Sequence, residues 1–174
     1  MIQDKTQLVR DGLETAYIDG NIASEISYKP GFVSNNHREG KKVISVIENE
    51  LLKCDKFQIS VAFITLGGVT PLLQTLKELE RKGVPGEILT SNYLDFSEPL
   101  ALEKLHSLKN IKIRMYDTRS ANNGFHTKGY IFREEEIYRI IIGSSNITSA
   151  ALTTNREWNT KLVSTAQGEM TEDI

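Results

Sequence analysis

The chain has 174 residues, with 39% hydrophobic and 25% charged residues, which is ordinary for a globular protein and suits one compact domain with a real core. Net charge is −2, so no overall basic surface points to nucleic acid, although a small cleft can still be locally basic through Lys128, Arg133, Arg119 or Arg114. No apolar run reaches spanning length, and the N-terminal Met-Ile-Gln-Asp-Lys does not read as a secretory signal. The single cysteine, Cys54, excludes an internal disulfide and fits a buried structural thiol in a reducing cytoplasm, the predicted location.

Asp4 to Ile18 is predicted to form a short helix, and Asn21 to Asn36, holding Pro30-Gly31, a linker; residues 1–36 thus read as an N-terminal arm. Residues 37–165 read as the domain proper. Within Lys42 to Lys53, apolar residues recur at helical spacing (Val43, Ile44, Val46, Ile47, Leu51, Leu52). Phe57 to Ile64 reads as a central strand. Gly67-Gly68 suggests a turn. Thr70-Pro71 suggests an N-cap followed by a first-turn proline, opening a helix to about Arg81 that Gly83 stops. Glu87 to Thr90 and Ile111 to Tyr116 are predicted strands, separated by a helix from Ser97-Glu98-Pro99 to about Ser107. Strands alternating with helices predict an α/β fold with a mixed, largely parallel sheet flanked by helices on both faces. The tail at 166–174 is polar and reads as frayed or as the cut edge of a longer chain.

The chemistry concentrates between Phe125 and Trp158, in FHTKGYIF, IIIGSSNITSAAL and NREWN. Successive strand side chains face opposite sides, so His126 and Lys128 are predicted on one side of a strand and Thr127 on the other. The acidic turn Glu134-Glu135-Glu136 joins this strand to a second, Ile137 to Ile142. Gly143-Ser144-Ser145-Asn146 then turns the chain and can aim small polar donors at an anion. A short helix over Ile147 to Leu152 and a strand over Arg156 to Val163 follow, with Glu157 near the strand's start. A nucleophile, a cation, neutral donors and a carboxylate are the groups that phosphoryl chemistry needs when no metal serves it.

This pattern resembles the phospholipase D superfamily, whose signature is His-x-Lys, an Asp five residues after the lysine, Gly-Ser-x-Asn and a later Glu. His126, Lys128, Gly143, Ser144, Asn146 and Glu157 match, whereas Arg133 stands where the Asp is expected. Residues 40 to 165 also resemble the N-terminal domain of certain bacterial DEAD/DEAH-box helicases, through VAFITLGGV, GEILTSNYLDFSEPLALEKL, IKIRMYD and the segments above.

The resemblance implies a metal-independent phosphodiesterase with no cofactor, a nuclease acting on nucleic acid, with DNA favoured, and attached to helicase domains in the same polypeptide. His126, Lys128, Asn146 and Glu157 would be catalytic, with Lys128, Ser144 and Asn146 binding phosphate. The implied route is a phosphohistidine on His126, with Glu157 as the candidate partner for the other ring nitrogen. The scheme needs two histidines at one phosphorus, and the chain has one His-x-Lys, so a homodimer through the active site is predicted. Arg133 favours the alternative, a catalytically degenerate docking module. His37 and His106 lack the short spacing to other ligands of a zinc site. No nucleotide loop or serine-hydrolase elbow is present, and no amphipathic segment suggests a lipid surface.

Overall fold

Seven strands join into one sheet in a computed structural model, which describes residues 4–121 and 123–172. They are β1 (Gly31–Val33), β2 (Lys56–Val61), β3 (Gly86–Ser91), β4 (Ile111–Tyr116), β5 (Lys128–Glu134), β6 (Ile137–Gly143) and β7 (Asn159–Thr165). Their spatial order is β1-β7-β6-β5-β2-β3-β4. β2, β3 and β4 pair in parallel, as the alternation with helices requires. Every other pairing is antiparallel. The mixed α/β sheet flanked by helices is therefore the fold, with its parallel part in the β2-β3-β4 half.

The helices are α1 (Lys5–Tyr17), α2 (Val43–Leu51), α3 (Leu66–Val69), α4 (Leu73–Lys82), α5 (Pro99–His106), α6 (Ser149–Thr153) and α7 (Glu169–Glu172). Alternation along the strands gives the sheet one strongly apolar face: Phe57, Ile59 and Val61 of β2, Ile88 of β3, Tyr130 and Phe132 of β5, and Ile141 of β6. Ile47 and Leu51 of α2, Leu76 and Leu79 of α4, Leu105 of α5 and Leu152 of α6 close over it. Val9 of α1 extends this cover onto Ile137 and Val163. α7 sits on the other face, where Thr171 donates to Thr165 O at 2.8 Å and meets Ser164 Oγ at 3.2 Å. Cys54 is buried, donates to Leu51 O at 3.2 Å, and has its thiol pushed up to about 12 by burial, so it is inert.

The chain departs from the sequence expectations at several elements. The linker-like stretch contains β1, which adds antiparallel to β7; three residues are too few to show a period. The helix after β2 begins at Thr65 rather than Thr70, with Thr65 Oγ1 accepting from Gly68 N at 3.3 Å, and Pro71 lies in a 3₁₀ turn inside it. Gly68 serves close packing there, because a Cβ would lie 2.2 Å from Ile147 O. The helix predicted from Ile147 starts at Ser149 with Thr148 as N-cap, since Ile147 makes a parallel bridge to Ile64. The polar tail includes the helical turn α7.

One buried ionic network ties α2 to the sheet. Arg139 of β6 reaches Glu134 Oε2 at 2.7 Å and Glu50 Oε2 at 3.6 Å, and its guanidinium lies 5.6 Å from the Tyr28 ring centre. Lys161 of β7 approaches Glu50 Oε1 at 3.4 Å. Truncating one member strands a buried charge. Arg139→Ala is expected to cost about 3 kcal/mol in urea unfolding, the low end for a broken buried pair because Lys161 remains beside Glu50. A loss below about 1 kcal/mol would show that the network is solvated.

Candidate active site

Strand direction brings four chain segments to one end of the sheet, at the tips of β2, β5, β6 and β7. Lys128, the first residue of β5, pairs with Val61, the last of β2. Gly143, the last of β6, pairs with Asn159, the first of β7. Gly143 has no room for a side chain: a Cβ would lie 2.3 Å from Trp158 O and 2.5 Å from Asn159 Cα. That contact lets the turn lie flat on the approach to β7. Ser144 N donates to Trp158 O at 3.1 Å, and Trp158 N donates to Ser144 Oγ at 3.1 Å. The Ser144 hydroxyl donates in turn to Glu157 Oε2. Glu157, only 7% exposed, precedes β7 rather than lying in it.

His126 also lies outside the strand, two residues before β5 begins. Thr127 turns to the face opposite Lys128 and shares a 2.6 Å hydrogen bond with Ser60. Lys128 Nζ donates to His126 O at 3.0 Å. Burial pulls the Lys128 pKa below that of an ordinary lysine, and the nearby Glu157 carboxylate pushes it back up. The His126 ring meets Phe63 edge to face, with centroids 6.3 Å apart. Phe63 N donates to Asn146 Oδ1 at 3.1 Å, which orients the amide so that its NH₂ end remains to donate. Phe63 thus links His126 to Asn146, and Ser144 links Glu157 to the same turn. The anticipated bond between Glu157 and the His126 ring is not formed; Glu157 is held by Ser144 instead.

A layer that sequence reasoning missed lies beneath these groups. Asn159, 2% exposed, accepts from Ser145 N at 3.2 Å and donates to Ser145 Oγ at 3.0 Å and Val33 O at 3.2 Å. Tyr130 Oη donates to Ser145 O at 2.8 Å. Burial, helped by Glu157, raises the Tyr130 pKa, so the phenol stays a donor. The available signal was Asn159 itself, a polar residue opening an otherwise strand-like run.

The basic residues other than Lys128 do not join it. Arg133 lies five residues further along β5, about 17 Å away at roughly 3.3 Å per residue. Its Nε pairs with Asp55 Oδ1 at 2.9 Å, and the other Asp55 oxygen accepts from Glu135 N at 2.6 Å, so this pair clasps the β5-β6 turn. Arg119 pairs with Asp95 at 2.7 Å. Arg114 is in register with Leu89 and Ser60, on the face away from Lys128. Among the described residues no group of three or more His, Cys, Asp or Glu could hold a metal ion.

A family model described as the PLD-like domain of cardiolipin synthase matches residues 49–173. The chain belongs to this PLD-like, phospholipase D family. No curated protein matches it significantly. Among solved structures the PLD-like chain is similar to NucT from Helicobacter pylori, at 15% identity and TM-score 0.63, with 83% of this chain and 91% of that one covered. It is likewise similar to Nuc, a phospholipase D family member from Salmonella typhimurium, at 17% identity and TM-score 0.61, covering 83% and 89%. Yeast tyrosyl-DNA phosphodiesterase aligns at 18% identity and TM-score 0.51, over 76% of this chain and 31% of the other. At these identities the structural likenesses establish a shared fold.

Electrostatic coupling within the PLD-like site is testable without turnover. Glu157 raises the Lys128 pKa, so Glu157→Gln should lower it further. NMR titration of ¹³Cε-labelled lysine should show the Lys128 resonance titrating at lower pH in the variant. An unchanged or higher midpoint would separate the two groups.

Proposed function

We propose that this PLD-like chain is a metal-independent phosphodiesterase, a DNA nuclease that works through a phosphohistidine on His126. What supports this reading is that Lys128 bonds to His126 O and feels the charge of Glu157, that Ser144 holds the buried Glu157, and that Phe63 lies between His126 and Asn146, all at one end of the sheet. A neutral His126 ring nitrogen attacks phosphorus, the N–P bond forms and the P–O bond to the leaving group breaks. A second histidinium gives its proton to the departing oxygen. Lys128 and the Asn146 NH₂ bear the charge that builds on the phosphoryl oxygens. Ser144, its proton directed to Glu157, positions that carboxylate. Glu157 keeps Lys128 charged and receives the His126 ring N–H as the serine hydroxyl turns aside. The second histidine, now neutral, takes a proton from water as the water attacks phosphorus and breaks the N–P bond, and both rings return to their starting states.

One chain carries one such motif, so the reading calls for a homodimer in which His126 of the partner subunit supplies the acid. The resemblance of residues 40–165 to helicase N-terminal domains extends it to a nuclease unit carried by a cytoplasmic helicase polypeptide. The rival reading, a degenerate docking module, leaned on Arg133. Arg133 itself forms an ion pair with Asp55 at the far end of β5, which gives it a structural role there.

With a generic aryl phosphodiester and with DNA, excess chelator should leave the rate nearly unchanged. His126→Ala should abolish turnover, and Lys128→Ala should lower kcat about a hundred- to a thousandfold. Strict dependence on added magnesium would overturn the mechanism. Mixing equal amounts of wild-type and His126→Ala chains, after subunit exchange, should leave about one quarter of the wild-type rate, because mixed dimers keep one histidine per site. A monomer by light scattering whose activity falls to one half would overturn the shared site.

A further inference from the structure

His126 stands beside an aromatic cluster that the phosphoryl chemistry does not use. Phe63, already in contact with its ring, stacks on Tyr93 at 6.3 Å and 21° and meets Phe96 edge to face at 5.0 Å. Tyr93 is 40% exposed and Phe96 52%, so both offer ring surface to solvent at the site. A cleft of about 460 Å³ continues from them, lined by Asn92, Tyr93, Asp95, Thr118, Arg119 and Gly124, the last only two residues before His126.

The loop that presents these rings is braced. Leu94 and Asp95 both hold positive φ, 50° and 55°, which non-glycine residues adopt only when their surroundings compel them. Here Asp95 receives both its bonds from Arg119 at 2.7 Å. Asn92 donates to Asp117 at 2.6 Å and accepts from Thr118 N at 2.8 Å and Thr118 Oγ1 at 2.9 Å. The loop carrying Tyr93 is thereby fastened to the loop leading into His126. On the far side, Phe125 stacks on Tyr116 at 5.3 Å, which fixes the residue next to the histidine.

We propose that Tyr93 and Phe96 form a nucleobase-stacking subsite that makes single-stranded nucleic acid the preferred substrate of the site assigned above, on whose reading this inference rests. A base can stack on an exposed aromatic face only when it is free of its partner strand, and such stacking accepts every base. The cleft combines the apolar surfaces of Tyr93, Leu94 and Ala121 with amides, a hydroxyl and the Arg119–Asp95 ion pair, a mixture that suits a nucleoside's flat ring and its polar edge and sugar. The size also lies within the range of small-ligand pockets.

The test measures binding, so that it stands apart from catalysis. His126→Ala protein is titrated by fluorescence anisotropy with a short single-stranded DNA, the same strand with abasic residues, and the corresponding duplex. Phosphatidylglycerol vesicles are tested by co-sedimentation. The intact single strand should bind at least about tenfold tighter than the abasic strand of equal charge, and tighter than the duplex. Tyr93→Ala with Phe96→Ala should erase that difference, whereas Tyr93→Phe should keep it; circular dichroism melting confirms that each variant folds. Equal affinity for intact and abasic strands, or a loss that falls equally on both, would overturn the subsite. Vesicle binding abolished by the double variant would replace it with a lipid contact. Base preference in the titration together with wild-type protein that cleaves no phosphodiester would retain the subsite and refute the catalytic reading instead.

Discussion

The whole site hangs on the backbone contact at Gly143. β6 and β7 approach so closely there that any side chain would strike Trp158 O. Because the two strands stay paired up to that point, Ser144 meets Trp158 on both sides of the turn and Glu157 is drawn under it. The β5-β6 register then places Lys128 opposite the same glycine, since Gly129 pairs with Ile142. A slip of one residue would turn every β5 side chain to the other face and separate the lysine from the carboxylate. Sheet register thus sets Lys128 and Gly143, and the strand ends hold the loops that carry His126, Ser144, Asn146 and Glu157.

A buried carboxylate beside a partly desolvated lysine is costly to assemble, and the surrounding hydrogen bonds offset that cost. Asn159 and Tyr130 satisfy the polar groups of Ser145, so the turn can be buried without orphaned amides. Glu157 has a hydroxyl donor, and Lys128 a carbonyl acceptor. Opposite charges that are held in place before substrate arrives need little reorganisation when charge develops on a phosphoryl group. That is the electrostatic work the proposed mechanism asks of side chains alone.

Much of this was legible in the chain. β4 was predicted with its observed bounds, and the isoleucine-rich β6 missed only Gly143, because long β-branched runs carry a strong signal. His126, Lys128, Ser144, Asn146 and Glu157 stood out by residue type and spacing. What escaped depended on partners distant in sequence. β1 gains its identity from β7, and nothing local marks Gly31–Val33 as a strand. Thr65 outcompetes Thr70 as a cap because Gly68 must approach Ile147. Arg133 looked like a defect in a motif until its partner Asp55, in the turn before β2, gave it a structural role. The choice of Ser144 over His126 as the hydrogen-bond partner of Glu157 is likewise a matter of how the turn lies against β7, which spacing does not encode.

The central claim is that His126 itself bonds to phosphorus without a metal. Rapid mixing of the wild-type protein with a labelled DNA strand in excess chelator, alkaline quenching to preserve phosphoramidates and mass spectrometry of the peptides would test it directly. The account predicts a nucleotide adduct on the peptide containing His126, formed and lost at rates compatible with turnover. Turnover under the same conditions with that peptide unmodified at every time point would contradict it.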